Sequence, residues 1–249
     1  MSAAVRRALA LVALLAVGGL AAWAVTGLPR FAHPRGPYAT AAVKLALGER
    51  HVTNTVTGVT FDVRGIDTLG EELILFCAAI GATLLLRAQR EEGREEEAIE
   101  RAEEARAGAP SSLRALGAAL VGPVLVLGVY IVAHGALTPG GGFQGGVILA
   151  AALLLVYAAG QIVALERVRP VDVVEVAEAV GAAAYVLVAA GGLVFAVAAM
   201  ENFLPLGTQG SLLSGGTIPV LSVAVGVEVA GAITLILSEL LDQALLRRA

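Results

Sequence analysis

Charge-free runs of about 20 residues recur along the chain, separated by polar intervals, and this pattern predicts helices that cross a lipid bilayer. A hydrocarbon core about 30 Å thick takes roughly 20 helical residues to span. Four runs are uninterrupted: Ala8–Leu28, Ala115–Ala133 (which contains Gly122 and Pro123), Phe143–Leu165 and Ala179–Met200. A fifth, Thr217–Leu237, holds one carboxylate, Glu228, near its centre. The sixth is short: Leu73–Leu86 reaches spanning length only by taking in Leu69 and Gly70, with Glu71 and Glu72 held near the interface or against protein. The expectation is an all-α membrane protein of about six transmembrane helices, two N-terminal and four C-terminal.

Two polar intervals differ in character. Pro29–Gly65 contains Pro29, Pro34 and Pro37, then a threonine- and valine-rich segment, Val52–Val63, expected to pair as short strands or to lie on the membrane surface. Arg87–Arg114 is rich in Glu and Arg, with Glu97 four residues before Arg101, and reads as a solvated helical linker supported by i,i+4 ion pairs. The expected organisation is a two-helix module at 1–87, a charged cytoplasmic linker at 88–112 and a four-helix module at 113–249.

Composition strengthens the membrane reading. Of 249 residues, 57% are apolar and 15% charged, with a mean hydropathy of +0.82, whereas soluble chains average about 45–50% and about 25%. A net charge of -4 with scattered basic residues excludes nucleic acid as an expected partner. The single cysteine, Cys77, allows no internal disulfide and no Cys-built metal site. In a six-span arrangement every Lys and Arg except Arg30, Arg35, Lys44, Arg50 and Arg64 falls on the side of the N-terminus. The positive-inside rule then places both termini in the cytoplasm, in the cell (inner) membrane. Ala8–Leu28 is long for a signal-peptide core and is read as a span.

The segment His134–Gly146 lies between two spans and carries Pro139, Gly140, Gly141, Gly142, Phe143, Gln144, Gly145 and Gly146. Pro139 stops the preceding helix, and the glycine spacing gives overlapping small-xxx-small pairs that let helix backbones approach. Two readings stay open: a tight helix-packing turn, or a broken-helix element beside an ion path whose N–H groups lie at a positive dipole end.

Glu228 is the strongest ion-path candidate, because a charge at a helix centre costs roughly 2.5–3.5 kcal/mol on insertion scales and must face protein or water. It serves either as a proton relay or cation contact, or as a hydrogen-bonded packing group. His134, at a helix end, is a second candidate for proton relay, although a lone histidine there is more commonly an interface residue. Asp67 and Glu71 stand at the start of the second span. They read as capping residues with an Arg64–carboxylate pair, or as an acidic entry point. His33 and His51 are expected to be solvated, as are Glu175, Glu178, Glu239 and Asp242 at span ends. No Ser/His/Asp arrangement, phosphate loop, HExxH, dinucleotide fingerprint or metal spacing occurs, so neither enzyme, cofactor nor metal site is expected.

The run Pro139–Gly146 with His134 upstream, followed by Asn202–Gly207 and Leu213–Pro219, resembles the MnhB family, one of the subunit families of the Mrp-type multisubunit cation/proton antiporters, over about Leu113–Asp242. Separately, Asn54–Glu71, above all Asp62–Glu71, resembles the C-terminal end of the large subunit of the same antiporters. The resemblance implies two neighbouring subunits fused in one chain. It also implies other antiporter subunits and membrane lipid as partners, and Na⁺ and H⁺ as transported ions. His134–Gly135–Ala136–Leu137–Thr138 departs from the family, where a histidine is followed directly by asparagine. Three functions are carried forward: a component of an antiporter contributing to assembly and to the cation path, a structural scaffold in a complex I-like hydrogenase or related redox-driven complex, and a self-sufficient carrier.

Overall fold

A computed structural model describes residues 3–28, 37–87, 110–159 and 171–246. Among these residues all regular structure is helical: α1 (Ala3–Thr26), α2 (Pro37–Lys44), α3 (Thr55–Gly58), α4 (Gly65–Arg87), α5 (Ser111–Ala133), α6 (Gly142–Ala158), α7 (Val171–Phe195) and α8 (Ile218–Leu246). Wide π turns extend α2 through Leu45–Glu49 and α3 through Val59–Val63.

The chain divides into two compact units, Met1–Ala41 and Ala42–Ala249. In the first, α1 exposes its leucines, its valines and Trp23, as suits a helix whose solvent is hydrocarbon. It closes at Thr26, whose hydroxyl donates to the Trp23 carbonyl.

In the second unit α8 is central. It packs against α4, α6 and α7, and α5 packs on α6. Within its membrane-length window 61% of α8 is buried in protein, against 28% for α7, 17% for α4 and 11% for α5. Small residues explain that position: Ala224, Gly226, Gly231 and Ala232 let three helices close on it. Pro219 sits in the first turn of α8, where a backbone N–H would lack an intrahelical partner in any case.

Among the described residues five helices are long and apolar enough to cross a membrane: Ala4–Thr26, Gly65–Leu86, Ser111–Ala133, Asp172–Phe195 and Ile218–Leu241. The expected span Phe143–Leu165 is represented by the 17-residue α6, and its last residues lie outside those described. The sixth expected span is a full helix, which Gly65–Thr68 join, and the Arg64 side chain pairs with Asp67 across its first turn. Two expectations are corrected. The run assigned to Ala179–Met200 begins at Val171 and ends at Phe195, since the chain bends from Ala196 to a positive-φ Met200 whose N–H returns to the Ala189 carbonyl. Val52–Val63 forms helical turns rather than strands. Val52 is buried while Val56 and Val63 are exposed, and the Thr60 hydroxyl donates to the Thr57 carbonyl within the turns. Of the linker, residues 88–109 lie outside the described residues.

Candidate functional site

The site is assembled from close helix contacts, and glycine sets each one. A Cβ on Gly142 would stand 2.2 Å from the Ser222 carbonyl oxygen, and one on Gly146 would stand 2.8 Å from that of Gly226, so α6 lies backbone-on-backbone against α8. On its other side a Cβ on Gly145 would stand 2.8 Å from the Gly128 oxygen of α5. The turn leading into α6 requires φ of 148° at Gly140 and 143° at Gly141, a region that side-chain-bearing residues rarely enter. Phe143, next in line, is exposed.

Asn54 clamps this turn. Its side-chain amide lies 2.8 Å from the carbonyl oxygens of both Gly135 and Thr138 and 2.7 Å from the Thr57 hydroxyl. The backbone N–H groups of Thr53 and Asn54 both donate to Ala136 at 3.1 Å. These bonds satisfy carbonyls of the turn that follows α5. Asn202 performs a similar task in the loop before α8, donating to the Gly215 carbonyl at 2.8 Å and accepting the Thr217 N–H at 3.0 Å.

Behind the turn lie buried carboxyl groups. Glu228 of α8 is fully buried and Glu72 of α4 is 2% exposed. The helices that carry them pack together and the two groups are electrostatic neighbours, and no donor reaches Glu72 Oε2 or either Glu228 oxygen. Carboxylates only accept hydrogen bonds, so this arrangement is satisfied by a proton shared between them or by a cation. Glu178 of α7, 3% exposed, is the other acidic neighbour of Glu228, and its Oε1 likewise has no donor. Tyr185 of α7 is fully buried, donates to the Gly65 carbonyl at 3.0 Å and so ties α7 to the start of α4.

A pocket of about 280 Å³ adjoins the pair, lined by Gly140–Gln144 of the glycine turn, by Thr57, Thr60 and Phe61, and by Thr68, Glu71 and Glu72 of α4. Two motifs far apart in sequence therefore share one cavity.

Glu71 is exposed at its rim. Asp67 is not a helix cap: it sits inside the first turn of α4, and Arg64 Nε donates to it at 2.6 Å. Thr68 does not cap either; its hydroxyl donates back to the Thr60 carbonyl at 2.8 Å. His134 ends α5, stacked on Tyr130 with ring centroids 3.9 Å apart and Nδ1 donating to the Tyr130 carbonyl at 3.0 Å. Pro139 is exposed. Glu178 and Glu239, expected to be solvated, are buried, because α7 and α8 run past the expected span ends and carry them into the packed region. Neither Glu72 nor Asn54 stands out in the sequence pattern as a site residue. A signal for Glu72 existed: Thr68, Glu72, Ala79 and Thr83 recur at helical spacing and all are buried, which separates Glu72 from Glu71. Among the described residues no group of three or more His, Cys, Asp or Glu side chains is arranged to hold a metal ion.

Residues 112–235 match the family described as a domain related to the MnhB subunit of Na⁺/H⁺ antiporter. An uncharacterized protein of Methanocaldococcus jannaschii is 28% identical over 200 residues, which are 72% of this chain and 73% of that protein. A chain of the membrane-bound sulfane sulfur reductase, an archaeal respiratory membrane complex, superposes with a TM-score of 0.70 at 29% identity, covering 95% of this chain and 98% of that one. A chain of the Mrp complex from Dietzia sp. DQ12-45-1b superposes with a TM-score of 0.71 at 23% identity, a likeness of fold. That match covers 96% of this chain and 26% of the longer Dietzia chain.

Proposed function

Because the chain carries, over residues 112–235, a domain of the MnhB-related family, we propose that it is an integral membrane subunit of a multisubunit monovalent-cation/proton antiporter. In this reading it works beside other antiporter subunits in the cell membrane with both termini cytoplasmic, exchanges Na⁺ and H⁺ as part of that assembly, and has no catalytic role of its own. It contributes helix packing through the Gly142, Gly145 and Gly146 contacts, and a stretch of the ion path.

The observation that carries the path assignment is the Glu72–Glu228 pair: buried on packed helices, with oxygens that no donor reaches, and next to a pocket that Glu72 lines. Burying carboxyl groups at span depth is expensive, and a scaffold would gain as much from apolar packing. The pair also joins residue 72 of the proposed N-terminal module to residue 228 of the proposed C-terminal one, which gives their fusion a purpose.

The test is Glu228→Gln in the intact complex, with Na⁺-driven proton movement followed by a pH-sensitive dye in everted vesicles. At least a ten-fold loss with normal subunit assembly is expected. Full exchange with an unchanged pH profile would leave the chain as a scaffold.

A second reading, membership of a redox-driven complex, is favoured by the match to the sulfane sulfur reductase chain over nearly the full length of both. Mass spectrometry of the complex retained by a tag on this chain separates the two: antiporter-type subunits support the first, and sulfur-reductase-type subunits the second.

A further inference from the structure

A second pocket, of about 320 Å³, lies farther along α4 and is lined by Thr83 of α4, Glu175 and Glu178 of α7, and Leu235 of α8. The first pocket meets α4 at Thr68, Glu71 and Glu72 and meets α8 at Val225. Glu228 therefore stands on α8 between the level of the first pocket and that of the second. At 1.5 Å per residue, Val225 and Leu235 are roughly 15 Å apart along the helix axis. Glu72 lines the first pocket, and Glu178, which lines the second, lies against Gly231, three residues along α8 from Glu228.

We propose that Glu72, Glu228 and Glu178 form one proton-conducting line that joins the two pockets, with Glu178 as its far member. The inference rests on the antiporter reading above and adds the route, the exit pocket and the identity of the carried ion. Three buried side chains with oxygens that no donor reaches mark the line: Glu72 Oε2, both oxygens of Glu228, and Glu178 Oε1.

A proton fits better than a metal cation. Hard cations surround themselves with several oxygen ligands, whereas no metal-holding cluster of His, Cys, Asp or Glu occurs among the described residues. In the first transfer the O–H bond on Glu72 breaks as one forms on Glu228, and Glu72 is left as a carboxylate. In the second, the O–H bond on Glu228 breaks as one forms on Glu178, which opens onto the second pocket. The ionisable groups around the line are Glu71 and Glu72 on α4, Glu175, Glu178 and Tyr185 on α7, and Glu228 on α8.

The experiment uses the intact complex in everted vesicles, with a pH-sensitive dye for protons and radioactive ²²Na⁺ for sodium. Glu178→Gln is expected to lower proton flux at least ten-fold with normal assembly, and Glu178→Asp to retain a measurable share. If Glu228→Gln blocks proton flux while Glu178→Gln leaves it intact, the line is overturned but the antiporter reading stands; if both are silent, the line falls and the chain is a scaffold, whereas no Na⁺-driven proton movement in the parent complex overturns the antiporter reading itself. Loss of ²²Na⁺ uptake with proton flux intact in Glu178→Gln overturns the proton assignment. Should Glu178→Gln fail to assemble, Thr83→Phe fills the second pocket without touching a carboxyl group. It is expected to lower proton flux several-fold, and undiminished flux in the assembled variant overturns the proposal.

Discussion

Gly181 of α7 and Glu228 of α8 are in backbone contact: a Cβ built on Gly181 would stand 2.5 Å from the Glu228 nitrogen and 2.7 Å from the Ala224 oxygen. Only a residue without a side chain allows the two helices to approach this closely, and that approach sets the depth at which the Glu228 carboxyl group is enclosed.

Gly181→Ala must therefore push α7 away from α8. Overpacking of this kind costs typically about 1–3 kcal/mol. The variant is expected to lower the thermal stability of the detergent-solubilised protein, read as loss of the monodisperse peak after heating. A profile matching the parent would show that the helices are farther apart than described.

Asn54→Ala removes the clamp on the glycine turn and leaves the Gly135 and Thr138 carbonyls without their side-chain donor. Unsatisfied buried groups cost about 1–3 kcal/mol each. The expected outcome is a marked loss of thermal stability, with faster hydrogen exchange confined to residues 134–142 at moderate temperature. Unchanged exchange there would sink the clamp.

Arg50 Nε donates to Asp62 Oδ2 at 2.7 Å, and the two side chains are unequally enclosed, 31% exposed for Arg50 and 7% for Asp62. Removing the cation strands the more buried partner, whereas Asp62→Asn keeps an oxygen that Arg50 can bond. Arg50→Gln should therefore destabilise by roughly 1–3 kcal/mol, more than Asp62→Asn does, and the double variant should recover part of the loss. Equal single effects with simple additivity in thermal unfolding would contradict this.

His134 is held by Tyr130 through stacking and a hydrogen bond. A phenylalanine keeps the stack and removes the titratable ring. His134→Phe is expected to leave both the exchange rate and its pH profile within about two-fold of the parent. A displaced profile would return His134 to the ion path.

The membrane class and most helices are legible because runs of apolar residues encode them directly. Glu228 is legible for a related reason, as the one carboxylate in the middle of an apolar run. Its partner is not. Glu71 and Glu72 are adjacent at a span edge, and only the helical phase fixed by Gly65, Thr68 and Ala79 turns the second inward. Glu178 is hidden by a boundary: the charge-free run starts at Ala179 and leaves the glutamate just outside it, whereas α7 starts at Val171 and carries Glu178 against Gly231 of α8. Asn54 is hidden by long-range pairing, since its partners lie 81 and 84 residues away and no local pattern signals them.

Glu72 precedes the charged stretch at 88–112 and Glu228 follows it, so a single translation product supplies both halves of the pair. Matched supply of the two carboxyl groups is thereby built into one gene. Their meeting is an intramolecular event whose effective concentration does not depend on how much of any other chain the cell makes. A cut within the stretch would convert that meeting into a bimolecular one, sensitive to dilution.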